Sequence, residues 1–172
     1  TERKRKEKMR DDPQFEKARQ KAFRLLARRA QSKKELKDKL ADRGFEKAAV
    51  DGVIKMFTEQ GYLNDETFAR DWARHLARNR HYGNRRIEMS LAGKGIAKEL
   101  IARAITEARG EIEEREGLRK VLQKKLKGRK PGGLDRAEKR RLAQSLALRG
   151  YAWPLIIEAL GKKQEGLFDD IE

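Results

Sequence analysis

The chain has 172 residues, 37% hydrophobic and 42% charged, with 44 Lys and Arg against 28 Asp and Glu, a net charge of +16 and no cysteine. Disulfides, thiolate nucleophiles and cysteine-based zinc sites are excluded, and no apolar stretch approaches the roughly 20 residues of a membrane-spanning helix. So basic a balance points to a polyanionic partner: nucleic acid, an acidic protein face or a membrane surface. The opening TERKRKEKMR lacks the apolar segment of a signal peptide, so a cytoplasmic protein is expected.

Residues 1–13 read as a charged arm, in which Arg3, Lys4, Arg5, Lys6, Lys8 and Arg10 supply non-specific attraction at most. A first helix follows, marked by Ala18, Ala22 and Leu26 and helped by Phe15 and Phe23. Ser32 and Glu35 form an S-x-x-E capping box for a second helix, whose Leu36 and Leu40 share one face before Gly44 and Phe45 end it. Val50 and Ile54 mark a third. The next helix is expected over 65–80, with Phe68, Trp72 and Leu76 at i, i+4 and i+8. Asn84 is the expected N-cap of a helix carrying Ile87 and Leu91 and stopped at Gly95-Ile96; Ile101 and Ile105 lie beyond. Leu118, Leu122 and Leu126 open a last triplet, broken at Pro131-Gly132-Gly133. Leu134-Asp135 then leads into Leu142, Leu146, Gly150 and Tyr151, and a final helix starts near Pro154 and carries Ile156 and Leu160. Residues 162–172 form an acidic-leaning tail with Asp169, Asp170 and Glu172.

The pattern occurs three times. Leu36, Leu40, Gly44 and Phe45 recur as Ile87, Leu91, Gly95 and Ile96, and again as Leu142, Leu146, Gly150 and Tyr151, at offsets of 51 and 55 residues. Such internal periodicity means copies of one supersecondary unit. With each glycine at C′, Leu40, Leu91 and Leu146 fall at C3 and Phe45, Ile96 and Tyr151 at C″. That pair is the apolar clasp of a Schellman cap. The expected fold is all-α, a tandem array of three three-helix repeats (14–62, 63–110 and 111–161), elongated and curved. Such an array offers a long surface to a macromolecule rather than a deep catalytic pocket.

Arg70, Arg74 and Arg78 lie at i, i+4 and i+8, and residues 70 and 72 are about 200° apart around the helix axis. These arginines therefore face away from Phe68, Trp72 and Leu76. Arg80, His81, Arg85 and Arg86 continue a basic edge around Tyr82-Gly83-Asn84, and residues 70–86 hold six arginines against one acid, Asp71. A second basic run joins Arg119, Lys120, Lys124, Lys125, Lys127, Arg129 and Lys130, with no acid between. It suits a phosphate-tracking loop or an acidic protein surface. Each run has a plainer reading, a solvated helix face and a soluble linker. Gly93-Lys94-Gly95 is no phosphate loop, since it lacks the G-x-x-x-x-G-K-[ST] spacing and closes a helix. His75 and His81 have no paired ligands. Trp72 and Trp153 read as core, while an exposed Tyr82 is able to stack on a base. No nucleophile, base and oxyanion donor come together. The expectation is a non-enzyme with no catalytic residue, no metal and no cofactor.

Gly61-Tyr62-Leu63-Asn64-Asp65, then Phe68-Ala69-Arg70, Trp72, Gly83 and Leu91-Ala92-Gly93-Lys94-Gly95-Ile96, resemble the RecX family, regulators of the RecA recombinase. Arg29 to Leu36, with Leu40 and Gly44-Phe45, resembles that family's first unit. The likeness is good over 15–109 and looser over 112–160. It implies a curved array of three-helix repeats that lodges in the groove of the RecA–single-stranded DNA filament. There it suppresses ATP hydrolysis, strand exchange and co-protease activity. The implied partners are the RecA filament and single-stranded DNA, extending to double-stranded DNA, for a monomer in the bacterial cytoplasm. The family supplies no catalytic residues. Charge geometry nominates Arg70, Arg74, Arg78, Arg85, Arg86, Lys124, Lys125, Arg129 and Lys130 as contacts. The alternative is a stand-alone DNA-binding protein. KKELKDKLADR and RRIEMSLAGK carry few residues that read base edges, so its binding would be phosphate-dominated.

Overall fold

A computed structural model describes residues 12–161. The expected tail over 162–172, with Asp169, Asp170 and Glu172, lies outside the described residues. So do residues 1–11 of the expected arm, with Arg3, Lys4, Arg5, Lys6, Lys8 and Arg10. The described residues form nine α-helices and one 3-10 turn, with no strand. The first triplet is α1 (Pro13–Leu26), α2 (Lys33–Ala41) and α3 (Lys47–Glu59). The second is α4 (Asp65–Asn79), α5 (Asn84–Gly93) and α6 (Lys98–Glu111). The third is α7 (Glu114–Leu126), α8 (Arg136–Leu148) and α9 (Trp153–Leu160), with the 3-10 turn Pro131–Gly133 before α8.

Short side chains start four of these helices. The Asp12 carboxylate accepts from the Gln14 N–H, with Pro13 at the first helical position. Ser32 and Glu35 cap each other's backbone reciprocally, and Asp135 and Glu138 do the same at α8. Asn64 Oδ1 accepts from the N–H groups of Glu66 and Thr67 at α4. Each bond satisfies an amide that a helix start would otherwise leave orphaned. Glycine stops the middle helices. Gly44, Gly95 and Gly150 have φ of +78°, +75° and +91°. Their N–H groups donate to the carbonyls of Ala41, Ala92 and Ala147, and the outer Schellman bond joins Phe45 to Leu40 and Tyr151 to Leu146.

By compactness the chain divides into two units. One runs to Ala69 and adds Ala92–Leu100. Its core joins Phe15, Ala18, Ala22, Leu36, Leu40, Val53 and Phe57. Leu25, not Leu26, completes the buried stripe of α1, and Leu26, Phe23 and Phe45 are only partly buried against it. The other unit holds Arg70–Leu91 and the chain from Ile101. Its core includes Leu118, Leu122, Leu146, Tyr151, Ile156 and Leu160. Here Ala143 is fully buried and Leu142 only partly. Trp72 and Trp153, expected in the core, are both half-buried.

Each unit contains a junction between successive repeats, and the two use the same bonds. Ser32 Oγ accepts from the Glu35 N–H and donates to the carbonyl of Lys94, 2.7 Å away, the residue before Gly95. The Lys33 N–H donates to Asp65 at the start of α4, 2.9 Å. In the other unit, Gly83 holds Ser32's place. Its N–H donates to the carbonyl of Arg149, the residue before Gly150, at 2.9 Å. The Asn84 N–H donates to Glu114 at the start of α7, 2.8 Å. Asn84 was the expected N-cap of α5. Instead it is the first helical residue, and its side-chain amide is taken by Glu114 and Arg109. The position of α8 that corresponds to Ser32 and Gly83 is Glu138. It lies inside the helix, which begins one turn earlier relative to its leucine pair.

The first junction carries a half-buried ion pair, Lys94 Nζ to Glu35 at 2.7 Å, with Arg29 on the same carboxylate at 3.0 Å. Burial pushes the Glu35 carboxyl up. Hydrogen bonds from Arg29, Lys94 and the Ser32 backbone outweigh it and hold the group at about 2 instead of 4.5. A carboxylate depressed on folding stabilises fully above its unfolded value and loses that contribution as pH falls towards the folded one. Between pH 4.5 and 2 the wild type should therefore lose more stability than Glu35→Gln in denaturant titrations, by about 1 kcal/mol once solvent screening of this half-buried carboxylate is allowed for. Equal losses would mean the pair contributes nothing.

Candidate functional site

Helix α4 buries Phe68, Ala69, Ala73, Leu76 and Ala77. A stripe of small and large residues packed this tightly leaves Arg70, Arg74 and Arg78 on the other face, as the 3.6-residue period requires. Their charge, however, is answered. Arg74 grips Glu111 of α6 with Nη2 at 2.6 Å and Nε at 2.9 Å. Arg78 reaches the same carboxylate at 3.4 Å, and Arg70 and Arg74 each approach Asp71 at 3.6 Å. The hydrogen bonds it donates to Glu111 hold the Arg74 guanidinium above its ordinary range. The expectation of a stripe with one nearby acid is corrected here: the fold brings Glu111 to it.

The basic edge that follows is different. Arg85 and Arg86 are exposed at the start of α5, as is Arg80 just after α4, and none of the three is paired with an acid among the described residues. The chain turns between these helices with His81 in the left-handed region, φ +49°. The His81 carbonyl accepts from the Tyr151 hydroxyl at 2.6 Å. Burial pushes that phenol up to about 12, so it stays a proton donor at ordinary pH. Arg109 donates to the Tyr82 carbonyl at 2.7 Å and to Asn84 Oδ1 at 2.7 Å. The turn is thus fixed from both sides. The Tyr82 ring carries the guanidiniums of Arg86 and Arg149, 5.9 and 5.2 Å from its centroid, and Arg149 also donates to the Arg80 carbonyl.

In the third repeat Lys124, Lys125 and Lys130 are exposed. Lys127, at φ +48°, and Gly128, at +90°, turn the chain after α7. Arg129 is the exception in this run, because both its terminal nitrogens hold Glu138, at 2.8 and 3.1 Å, which also closes the α8 capping box. The structure therefore does not gather the nine candidates into one cluster. Arg85 and Arg86 stand with Arg80 and Arg149; Arg70, Arg74 and Arg78 form a partly neutralised stripe; the lysines occupy the α7–α8 connection.

Lys94 serves Glu35 and lies over the Phe68 ring at 5.8 Å, and the Gly93-Lys94-Gly95 segment is a helix end. His75 shares a 2.9 Å bond with the Asn79 amide. No group of three or more His, Cys, Asp or Glu among the described residues is placed to hold a metal ion. No helix among them is long and apolar enough to cross a membrane. Sequence reasoning missed Arg149 as a member of the basic edge. Its only signal was position, one residue before the third repeated glycine.

Models of the first, second and third three-helix domains of RecX match residues 18–55, 64–105 and 113–160 in order. The chain belongs to the RecX family. The regulatory protein RecX of Streptomyces lividans is 32% identical over 162 residues, covering 94% of this chain and 84% of the relative. That of Corynebacterium efficiens is 32% identical over 157 residues, covering 87% and 74%. A crystal structure of RecX from Lactobacillus salivarius superposes with a TM-score of 0.66 at 19% identity, over 86% of this chain and 94% of that one. A second RecX crystal structure gives 0.71 at 22%, over 86% and 71%. Both share the fold. Within this RecX-family chain, the arginines at 70–86 belong to the second domain and the lysines at 124–130 to the third.

Proposed function

We propose that this RecX-family protein is a non-enzymatic regulator of the RecA recombinase. It binds in the groove of the RecA–single-stranded DNA filament and suppresses ATP hydrolysis, strand exchange and co-protease activity, as a monomer in the bacterial cytoplasm. Family membership across all three domains carries this reading. The excess of +16 and the unpaired arginines beside Tyr82 support a polyanionic counterpart. Arg85, Arg86, Lys124, Lys125 and Lys130 are the principal contacts to acidic RecA surface or DNA phosphate. Arg70, Arg74, Arg78 and Arg129 contribute less, because Glu111 and Glu138 already hold three of them.

Titration into RecA–single-stranded DNA ATPase reactions, with DNA in excess, is the test. Turnover should fall at up to equimolar protein although free DNA remains, and unchanged turnover at saturation would sink the reading. Suppression that vanishes when DNA is raised identifies a stand-alone DNA binder acting by sequestration, the second reading that the same arginines support. Filament binding across a salt series should separate the basic groups. Arg85→Ala with Arg86→Ala should lower the salt slope by about two, and Arg74→Ala with Arg78→Ala by less. Equal effects of the two pairs would show that the Glu111 pairing does not matter.

A further inference from the structure

One cavity of about 540 Å³ in the second repeat combines stacking surface with unneutralised positive charge. Trp72, His75, Tyr82, Arg80, Arg86 and Met89 line it, and no acid does. The indole is fixed in orientation by its Nε1–H, which donates to Ser90 Oγ at 3.0 Å, and by the His75 ring, stacked at 26° and 5.6 Å. Tyr82 is held through its backbone by Arg109 and through its ring by two guanidiniums. Met89 stands on the rim with 65% of its surface in solvent.

Rings held at set orientations, an exposed thioether and cations without counter-charges are what an unstacked base with its flanking phosphates requires. The volume lies within the range of small-molecule sites. A duplex keeps its bases stacked inside and offers none to such a groove. An acidic peptide would satisfy the arginines but leave the aromatic surface and Met89 without a role. We infer that this groove takes one nucleobase of single-stranded nucleic acid, with neighbouring phosphates on Arg80 and Arg86. The site needs no second protein, so it stands or falls apart from the RecA reading.

Trp72 reports on the test directly. Trp153→Phe removes the other tryptophan, and this variant is titrated at low salt with oligothymidylate of about eight nucleotides. Saturable quenching of Trp72 emission is expected. An abasic oligomer of equal charge should bind at least about tenfold more weakly and leave emission unchanged, because stacking on an aromatic ring adds about that factor. Tyr82→Ala should cost a similar factor. Since that variant could lose the turn, Met89→Glu at an exposed position supplies the second arm and should also weaken binding about tenfold. Equal binding of the abasic oligomer, unquenched Trp72 at saturation, or full affinity in folded Met89→Glu would each overturn the proposal. So would tighter, quenching binding of polyglutamate, which would make the groove an acidic-peptide site. Failure of the Trp153→Phe protein itself to bind the oligonucleotide, with suppression of RecA turnover intact, would refute this inference alone.

Discussion

Leu91→Ala is expected to lower the free energy of unfolding by about 2–5 kcal/mol, and Leu40→Ala by a similar amount. Both side chains are fully buried, each at the end of a middle helix and one turn before its glycine stop. Helices α2 and α5 have only 9 and 10 residues, too few to persist without tertiary packing. Truncation removes the transfer energy of three carbons and leaves a void whose walls are other helices, which can relax only in part. Leu148→Ala, on the exposed face of α8, is the control and should fall within about 0.5 kcal/mol of wild type. Urea titrations of the three variants check this. No loss for either buried leucine would contradict the assignment of a core to each repeat.

Gly150→Val should cost more still. At Gly150 the backbone is left-handed, φ +91°, and an added Cβ would lie 2.2 Å from the Arg86 nitrogen and 2.5 Å from its Cβ. Facing it, a Cβ on Gly83 would come within 2.3 Å of the Gly150 carbonyl group. Two backbones touch here through both glycines, and neither can yield without breaking the Gly83–Arg149 and Arg85–Gly150 hydrogen bonds. Gly44→Val meets nothing within 4 Å and carries only the strain of φ +78°, about 2 kcal/mol. Gly95→Val falls between, since its nearest neighbours, 2.7 Å away, belong to the Lys34 side chain. Melting temperatures should therefore decrease in the order Gly44→Val, Gly95→Val, Gly150→Val. A Gly150 variant as stable as the Gly44 one would mean the close approach is not maintained in solution.

What sequence alone revealed depended on how far apart the interacting residues lie. The glycine stops, their C3 leucines, the Ser32–Glu35 box and the α9 start near Pro154 rest on residues within a turn or two of one another, and these were legible. The family resemblance followed from the same local frame. Pairings across repeats were not legible. Asn84 has the chemistry of an N-cap, but Glu114 and Arg109, 30 and 25 residues away, compete for its amide. Charge counting over 70–86 found one acid, whereas Glu111 is brought back to Arg74 from 37 residues on. Likewise Arg129 in an acid-free run meets Glu138 across the turn. Small residues hid as well: Ala73, Ala77 and Ala143 are fully buried, yet alanine carries little weight in a hydrophobic pattern. The candidate site suffered most, because its charge balance is set by partners that only the fold selects.

The repeated junction bond has a consequence for how such copies diverge. In both junctions the acceptor is a main-chain carbonyl just before the glycine, and the donor is a serine hydroxyl in one and a glycine amide in the other. A peptide carbonyl is supplied by every residue, so Lys94 or Arg149 is free to mutate without losing it. Only the glycine beside it is restricted, by backbone conformation. Duplicated segments can therefore drift until little but a leucine–glycine frame is shared, while the bond that sets one copy against the next is inherited through the backbone.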